Sequence, residues 1–248
     1  MYQGTYEIAG FPIKICSLYP DIHTYCASYR AECVPELTVT ITRSDLDFER
    51  RRNQSEAIRE GITVAEWPDR YLETLAVYRK ISDFALTRNT LLFHGSVIAC
   101  GNRACLFTAS SGTGKSTHTR LWREVYGSRV YMVNDDKPLL KVTDSGILAC
   151  GTPWNGKHHL GTNCMVPLQA IVILRRGTEN EIREISPGEA LPMLMQQSYR
   201  SADRTLLART LSILDTISQQ VKFYELHCNM EPEAARISFE GIFGREQP

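Results

Sequence analysis

The segment SSGTGKST, at residues 110–117, constrains the fold of this chain more than any other part of the sequence. An apolar run at residues 104–108 precedes it and predicts a strand, and Lys115–Tyr126 follows with the pattern of a helix. Gly112 and Gly114 give the connecting loop the backbone freedom that a tight turn needs. A strand, a glycine-rich loop and a helix in this order direct backbone N–H groups and the positive end of the helix toward an anion. The segment therefore predicts an α/β fold with a phosphate-binding loop.

The polar side chains of this loop are those that a nucleoside triphosphate requires. Lys115 supplies a cation for the β- and γ-phosphates, and Ser116 supplies a hydroxyl for Mg²⁺. The full pattern has glycine six residues before the lysine; this chain has Ala109, which fits if its φ angle is negative. We therefore expect ATP and Mg²⁺ as ligands. The predicted phosphate-binding residues are Ser111, Gly112, Thr113, Gly114, Lys115, Ser116 and Thr117.

Two adjacent carboxylates follow the next predicted strand, which covers residues 130–133. Asp135 and Asp136 lie 20 residues after Lys115. At a strand end beside a phosphate loop, one carboxylate can bind Mg²⁺ while the other takes the proton of an attacking hydroxyl. A plain turn before Pro138 is the alternative interpretation. Adjacent carboxylates repel each other, which raises the pKa of one of them unless a metal ion or a lysine neutralises the pair.

The remaining segments indicate two domains, at residues 1–90 and 91–248. The first is predicted to be a small β-rich lobe with a connecting helix at Asp69–Thr87, and Ser44 with Asp47 is predicted to cap an earlier helix. Further strands are predicted at residues 25–29, 37–42, 91–99, 139–142, 147–150, 168–174 and 223–228, and further helices at Pro187–Gln197, 203–220 and 232–239.

Short hairpins favour a mixed sheet. The predicted strands at residues 139–142 and 147–150 flank the turn Asp144-Ser145-Gly146. Common hydrolases with a phosphate loop instead use long parallel crossovers. We therefore expect a sheet in which the helix after the phosphate loop interrupts a run of antiparallel strands.

Composition excludes several classes of partner. Lys and Arg total 28 and Asp and Glu total 28, so there is no global basic field to hold nucleic acid or a membrane. The amino terminus, MYQGTYEIAG, lacks the basic and apolar regions of a secretory signal, and we expect a cytoplasmic location. The eight cysteines form no Cys-x-x-Cys pair and are expected to be free thiols. A homo-oligomer is compatible with this composition.

A family resemblance adds to these expectations. The loop at residues 111–117, the pair Asp135-Asp136 and the segment Phe93-His94-Gly95-Ser96 together resemble the kinase core shared by HPr kinase/phosphorylase and ATP-dependent phosphoenolpyruvate carboxykinase. The resemblance covers roughly residues 91–175. It implies an α/β fold with a mixed-sheet phosphate-loop core and a small β-rich N-terminal lobe.

The resemblance also implies roles. His94 and Asp135 would lie together at the γ-phosphate, with Asp135 as general base and His94 orienting it. Lys115 would neutralise the transferred phosphate, and Asp136 would join Ser116 at Mg²⁺. The roles of the two aspartates could be exchanged.

The acceptor side departs from the family. HPr kinase has an acidic residue after the loop hydroxyls, where this chain has His118, and it has a Glu-x-Arg-Gly signature where this chain has CGTPWNGKHH at residues 150–159. Phosphoenolpyruvate carboxykinase is about twice as long. The loop at 150–159 combines glycines, an amide and cations, and we expect Lys157 and His159 to bind the acceptor; a solvated surface turn is the alternative. Arg175, Arg176 and Arg200 are candidates for stabilising transition-state charge.

These observations predict an ATP-dependent kinase. It would transfer the γ-phosphate to a serine-type hydroxyl of a small molecule, peptide or protein. The alternatives are a nucleotide-binding sensor or assembly module without catalysis, and a nucleoside-triphosphate hydrolase or phosphatase with water as the acceptor.

Overall fold

The computed structural model describes residues 1–61, 63–156 and 158–244. The chain divides into two compact units, Met1–Phe84 and Ala85–Pro248. In the described part of the chain, no helix is both long enough and apolar enough to cross a membrane. The protein is a mixed α/β protein with a small three-stranded sheet near the amino terminus and a larger mixed sheet.

The first unit contains the three-stranded sheet. Its strands are β1 (Tyr2–Ile8), β2 (Phe11–Ser17) and β3 (Leu37–Thr40), and its helices are α1 (Asp21–Tyr25) and α2 (Arg43–Glu60). Strand β1 is antiparallel to β2, and β2 is parallel to β3. Helix α3 (Asp69–Thr87) has the predicted bounds.

Two predictions in this unit were wrong. Residues 25–29, predicted as a strand, form the end of α1 and a short 3-10 turn at Ala27–Tyr29, because Pro20 and Asp21 start a helix just before them. The cap of α2 is Thr42 with Asp45, two residues earlier than the predicted pair Ser44 and Asp47. The predicted charged face at 45–52 lies within α2.

The second unit contains a nine-stranded mixed sheet among its described residues. Its strands are β4 (Thr90–Leu92), β5 (Ser96–Cys100), β6 (Arg103–Thr108), β7 (Val130–Asn134), β8 (Leu139–Thr143), β9 (Gly146–Cys150), β10 (Met165–Arg176), β11 (Glu181–Ile185) and β12 (Lys222–Cys228). Its helices are α4 (Lys115–Tyr126), α5 (Pro187–Gln197), α6 (Arg204–Gln220) and α7 (Pro232–Phe243). The order β4-β8-β9-β10-β6-β5-β7 mixes parallel and antiparallel neighbours, as the hairpin signals predicted.

Alternate side chains of the central strands pack on opposite faces of this sheet. Val97 and Leu106 belong to the apolar cluster that includes α5 and α6, whereas Ile98 and Phe107 belong to the cluster that includes α4 and α7. Helices therefore cover both faces of the sheet, and the loops at its edges are left to carry functional groups.

The predicted strand at 91–99 is interrupted. Strand β4 ends at Leu92 and β5 begins at Ser96, because Phe93 pairs with Ser198 and the N–H of His94 donates to the carbonyl of Gln197 at 2.8 Å. This interruption directs the His94 segment out of the sheet, toward the edge at which the phosphate loop begins. Strand β11 was not predicted, because its charged residues hide the apolar alternation.

Candidate functional site

The glycine loop has the backbone that its sequence predicts. It leaves β6 and ends at Lys115, the first residue of α4. Gly112 has φ +76° and Gly114 has φ +121°, a region that side-chain-bearing residues rarely adopt, although no atom would contact an added Cβ at either position. Ala109 is fully buried and has a negative φ, so alanine replaces the expected glycine without backbone strain.

The ammonium of Lys115 lies over this loop. Its Nζ donates to the carbonyl of Ala109 at 3.1 Å. Burial lowers the pKa of Lys115, and the charge of Asp136 opposes that shift. The lysine is therefore half-buried between its own loop and one of the two predicted carboxylates.

Strand order brings the other predicted residues to the same edge of the sheet. Strand β5 is antiparallel to both β6 and β7, so the start of β5 lies beside the ends of β6 and β7. Three hydrogen bonds join these strand ends: Gly95 N to Asp136 O at 3.0 Å, Thr108 Oγ1 to His94 O at 3.0 Å, and Ser96 Oγ to Asp135 O at 2.9 Å. His94, Asp135, Asp136 and the phosphate loop are thus neighbours.

His94 pairs with Asp136. Its Nε2 lies 3.2 Å from Asp136 Oδ1, and the two side chains are 35% and 34% exposed. Burial raises the pKa of Asp136, but the hydrogen bond from His94 and the charges of Lys137, His94 and Lys115 outweigh it and hold the pKa below its ordinary value. Asp136 is therefore an ionised carboxylate that solvent can reach.

Asp135 occupies a different environment. It is 4% exposed, and a Cβ added at Gly156 would lie 3.0 Å from Asp135 Oδ2, so the loop after β9 covers the carboxylate. Burial raises the pKa of Asp135 above its ordinary value, against the lowering effects of His158 and Ser96. The resemblance implied Asp135 as the partner of His94, whereas the structure places Asp136 in that position.

Asn134 is a site residue that sequence reasoning missed. This fully buried amide accepts from the backbone N–H groups of Asp136 at 2.9 Å and Lys137 at 2.7 Å. Its Nδ2 donates to Thr152 Oγ1 at 3.0 Å. An asparagine just before two aspartates at a strand end is a known signal for such a turn, and it fixes the direction in which Asp136 points.

The loop between β9 and β10 carries the predicted acceptor residues. It is tied down by Thr152, whose Oγ1 donates to Lys137 O at 2.8 Å, and by Thr162, whose Oγ1 donates to Met132 O at 3.0 Å. His159 is exposed, and its N–H donates to Gly156 O at 3.0 Å. Lys157 lies outside the described residues.

The opposite side of the phosphate loop is basic. Arg176 Nη2 donates to the carbonyl of Gly112 at 2.7 Å, and Arg175 Nε lies 3.0 Å from Glu225 Oε1. A cavity of about 380 Å³ lies here, lined by residues 110–113 and 174–176. Arg200 is exposed in the connection between α5 and α6 and is not among the lining residues of this cavity.

The two predicted Mg²⁺ ligands are hard oxygen donors. Ser116 is exposed in the first turn of α4, and Asp136 is ionised, which is the donor chemistry that Mg²⁺ prefers. Three or more His, Cys, Asp or Glu side chains do not meet as a metal cluster anywhere in the described part of the chain. A Mg²⁺ ion held mainly by phosphate oxygens and water needs no such cluster.

His118 is a core residue. It is 2% exposed, packs edge-on against Phe107, and has Nε2 3.0 Å from Ser238 Oγ. Burial lowers the pKa of His118 to about 4, so the ring is neutral at physiological pH. The position at which the family has an acidic residue is therefore used here to join α4 to α7.

Comparisons with known proteins identify no family for this chain. No known protein family matches the sequence, and no curated protein matches it. Among solved structures, an HPr(Ser) kinase/phosphatase from Coxiella burnetii is similar at 14% identity, over 49% of this chain and 90% of that chain, with a TM-score of 0.29. At that TM-score the likeness carries no argument about family or function.

Proposed function

We propose that this protein is an ATP-dependent kinase that transfers the γ-phosphate to a hydroxyl acceptor. The observation that carries the proposal is the His94–Asp136 pair, with Nε2 and Oδ1 3.2 Å apart, on the strand ends beside the phosphate loop. The charges of Lys115 and Asp136 act on each other. A cation for the phosphates and an ionised base therefore stand together, as phosphoryl transfer to a hydroxyl requires.

The loop would hold the donor. Backbone N–H groups of the loop and the positive end of α4 would bind the β- and γ-phosphates, and Lys115 would exchange the carbonyl of Ala109 for phosphate oxygens. Ser116 would hold Mg²⁺ together with the phosphate oxygens and water. Bound Mg²⁺ neutralises charge on the phosphate oxygens.

Asp136 is the better placed of the two carboxylates to accept the proton. Its Oδ1 is bonded to His94, which leaves Oδ2 for the acceptor hydroxyl, and one third of the side chain is exposed. The acceptor oxygen would form a bond to the γ-phosphorus, its proton would pass to Asp136, and the bond from the γ-phosphorus to ADP would break. Asp135, covered by the Gly156 segment, would support the turn.

A transfer assay tests this function. The full chain would be incubated with Mg²⁺, [γ-³²P]ATP and fractions of cell metabolites and peptides. We expect a labelled acceptor with the wild type and with Arg120→Ala, which removes an exposed ion pair elsewhere on α4. Lys115→Ala should reduce transfer by about a hundredfold or more.

Two outcomes would contradict the proposed kinase activity. ATP bound through Lys115 with no labelled product in any fraction would favour a nucleotide sensor. Phosphate release that is independent of every acceptor fraction, and is lost in Lys115→Ala, would favour a hydrolase.

A further inference from the structure

The larger sheet gives the phosphate loop two different sides. Strands β10, β6, β5 and β7 are neighbours in that order, so the loop that leaves β6 has β5 and β7 on one side and β10 on the other. His94, Asp135 and Asp136 lie on the β5 and β7 side. Helix α4 packs against β5, β6 and β7, so its side chains can reach the same edge of the sheet.

Arg123 of α4 carries an unpaired nitrogen close to this edge. It lies eight residues after Lys115, about two turns along the helix, and long side chains of a helix lean back toward its amino terminus. The Nε of Arg123 is buried and has no hydrogen-bond acceptor among the described residues. A buried donor without an acceptor is unfavourable, so this position favours a ligand that brings an acceptor.

His158 brings a second basic group to the same place. Burial raises the pKa of Asp135, and the charges of His158 and Arg123 lower it, so both basic side chains lie near that carboxylate. Neither of them forms an ion pair with a carboxylate in the part of the chain that the structure describes. Asp135 accepts instead from Ser96 Oγ at 3.4 Å and is covered by Gly156. The two basic groups are therefore not neutralised by direct contact with Asp135.

The loop between β9 and β10 lies against α4 at this position. Leu160 of the loop packs against the apolar cluster that includes residues of α4. Asn155, next to the Gly156 that covers Asp135, has a buried Oδ1 with no hydrogen-bond donor among the described residues. The helix and the loop therefore each bring a buried polar atom without a described partner to the surroundings of Asp135.

We infer that the phosphate acceptor carries an anionic group, a carboxylate or a phosphate, which Arg123 and His158 bind beside Asp135. The inference rests on the proposed function, and it narrows the acceptor from any hydroxyl compound to one with negative charge. A guanidinium presents parallel N–H donors that match the oxygens of a carboxylate or a phosphate. Because Asp136 is the next residue after Asp135, an anion held here brings a neighbouring hydroxyl to the proposed base.

Matched probes test the anion site without phosphotransfer. The full chain, with excess MgADP in the phosphate loop, would be titrated calorimetrically with glycerate, with glycerol 1-phosphate and with glycerol. These probes share hydroxyl groups and differ in the anionic group. We expect the wild type to bind at least one of the two anions about tenfold or more tightly than glycerol, and the tighter anion shows whether the site takes a carboxylate or a phosphate.

Substitution of Arg123 separates this site from the position of the γ-phosphate. Arg123→Gln should weaken the preferred anion about tenfold or more, and Arg123→Lys, which keeps the charge, should lose less. Both variants should bind MgADP as the wild type does, which also shows that they are folded. His158→Gln should weaken the same anion by a smaller factor, because His158 is exposed. Arg120→Gln, which breaks an exposed ion pair with Glu124 on the same helix, is the matched control and should change neither affinity.

The transfer assay gives a second readout. Anion-exchange separation of the metabolite and peptide fractions before incubation with [γ-³²P]ATP shows the charge of the acceptor. We expect the labelled acceptor among the anions. Arg123→Gln should raise the KM for that acceptor about tenfold or more and leave the KM for ATP unchanged.

The outcomes separate the anion site from the kinase activity. Equal affinities of the wild type for the anions and for glycerol, or equal anion affinities of Arg123→Gln and the wild type, overturn the inference. A labelled acceptor that is neutral or cationic also overturns it and leaves the proposed kinase activity intact. Anion binding that depends on Arg123, without transfer to any fraction, supports the anion site and contradicts the proposed function.

Discussion

The two sides of the phosphate loop differ in charge and in burial. On the β5 and β7 side, Asp135 is 4% exposed and Asp136 is hydrogen-bonded to His94. On the β10 side, Arg175 is 49% exposed and its ion pair with Glu225 borders solvent. Water reaches both the His94–Asp136 pair and the Arg175–Glu225 pair, so the difference in burial lies in Asp135. The carboxylate beside a histidine suits the acidic side to proton transfer, and the guanidinium groups suit the basic side to binding anions.

The same difference predicts where substitutions change activity or stability most. The acidic side is held by a hydrogen bond that Asn134 accepts from the N–H of Asp136 and one that Ser96 donates to the carbonyl of Asp135, and the loss of either leaves polar groups unpaired. The basic side is held by exposed ion pairs, which water and salt can replace. Substitutions on the acidic side should therefore have larger effects than substitutions on the basic side.

The largest effect should come from the carboxylate beside His94. Asp136→Asn removes the proposed proton acceptor and should lower kcat/KM for phosphotransfer about 100-fold to 10,000-fold. Calorimetric titration with ATP, with and without Mg²⁺, then separates two roles. Unchanged Mg²⁺-dependent affinity indicates proton transfer, and loss of that affinity indicates that Asp136 holds the metal.

The matched change at the neighbouring residue should behave differently. Asp135→Asn should retain activity within about tenfold of the wild type, because the carboxylate is covered. The pKa of Asp135 is raised, so its ionised form opposes folding at neutral pH, and that cost disappears as pH falls through the folded-state pKa. The variant should therefore unfold no more easily than the wild type at pH 7. A larger activity loss in Asp135→Asn than in Asp136→Asn would reverse the assignment.

The sequence predicted local structure well where the signals were local. The bounds of α4 and the β8–β9 hairpin were confirmed, because glycines and short apolar runs beside them determine both elements. The break between Leu92 and Ser96 was missed, since Gln197 and Ser198, about 100 residues away in the chain, cause it. Local patterns carry no information on such partners.

Local sequence patterns also could not decide which of Asp135 and Asp136 lies beside His94. Both residues follow the end of β7 and lie in a bend, so the alternation of a strand does not decide which of them faces the covering loop. The sequence contained both carboxylates but not the position of Gly156, which covers Asp135. Asn134 was within reach of sequence reasoning, since an asparagine before Asp-Asp predicts the turn that it makes.

Stability of the acidic side should depend on Asn134. Asn134→Ala leaves the N–H groups of Asp136 and Lys137 without their acceptor and should lower the free energy of unfolding by about 1–3 kcal/mol. Urea unfolding measures this loss. Asn102→Ala, at an exposed turn, is the matched control and should stay within about 0.5 kcal/mol of the wild type. Equal stability of the two variants would show that the turn does not need this side chain.

The smallest effect belongs to the basic side. Arg175→Ala breaks the ion pair with Glu225, but Glu225 keeps Arg183, whose Nη2 lies 2.9 Å from Oε2. Half of the Arg175 side chain is already in solvent, so the free energy of unfolding should fall by less than about 1 kcal/mol, and by less still at high salt. Urea unfolding at low and high salt measures both. A loss as large as that of Asn134→Ala, and insensitive to salt, would mean that the basic side is as firmly built as the acidic one, and the contrast between the two sides of the loop would then rest on charge alone.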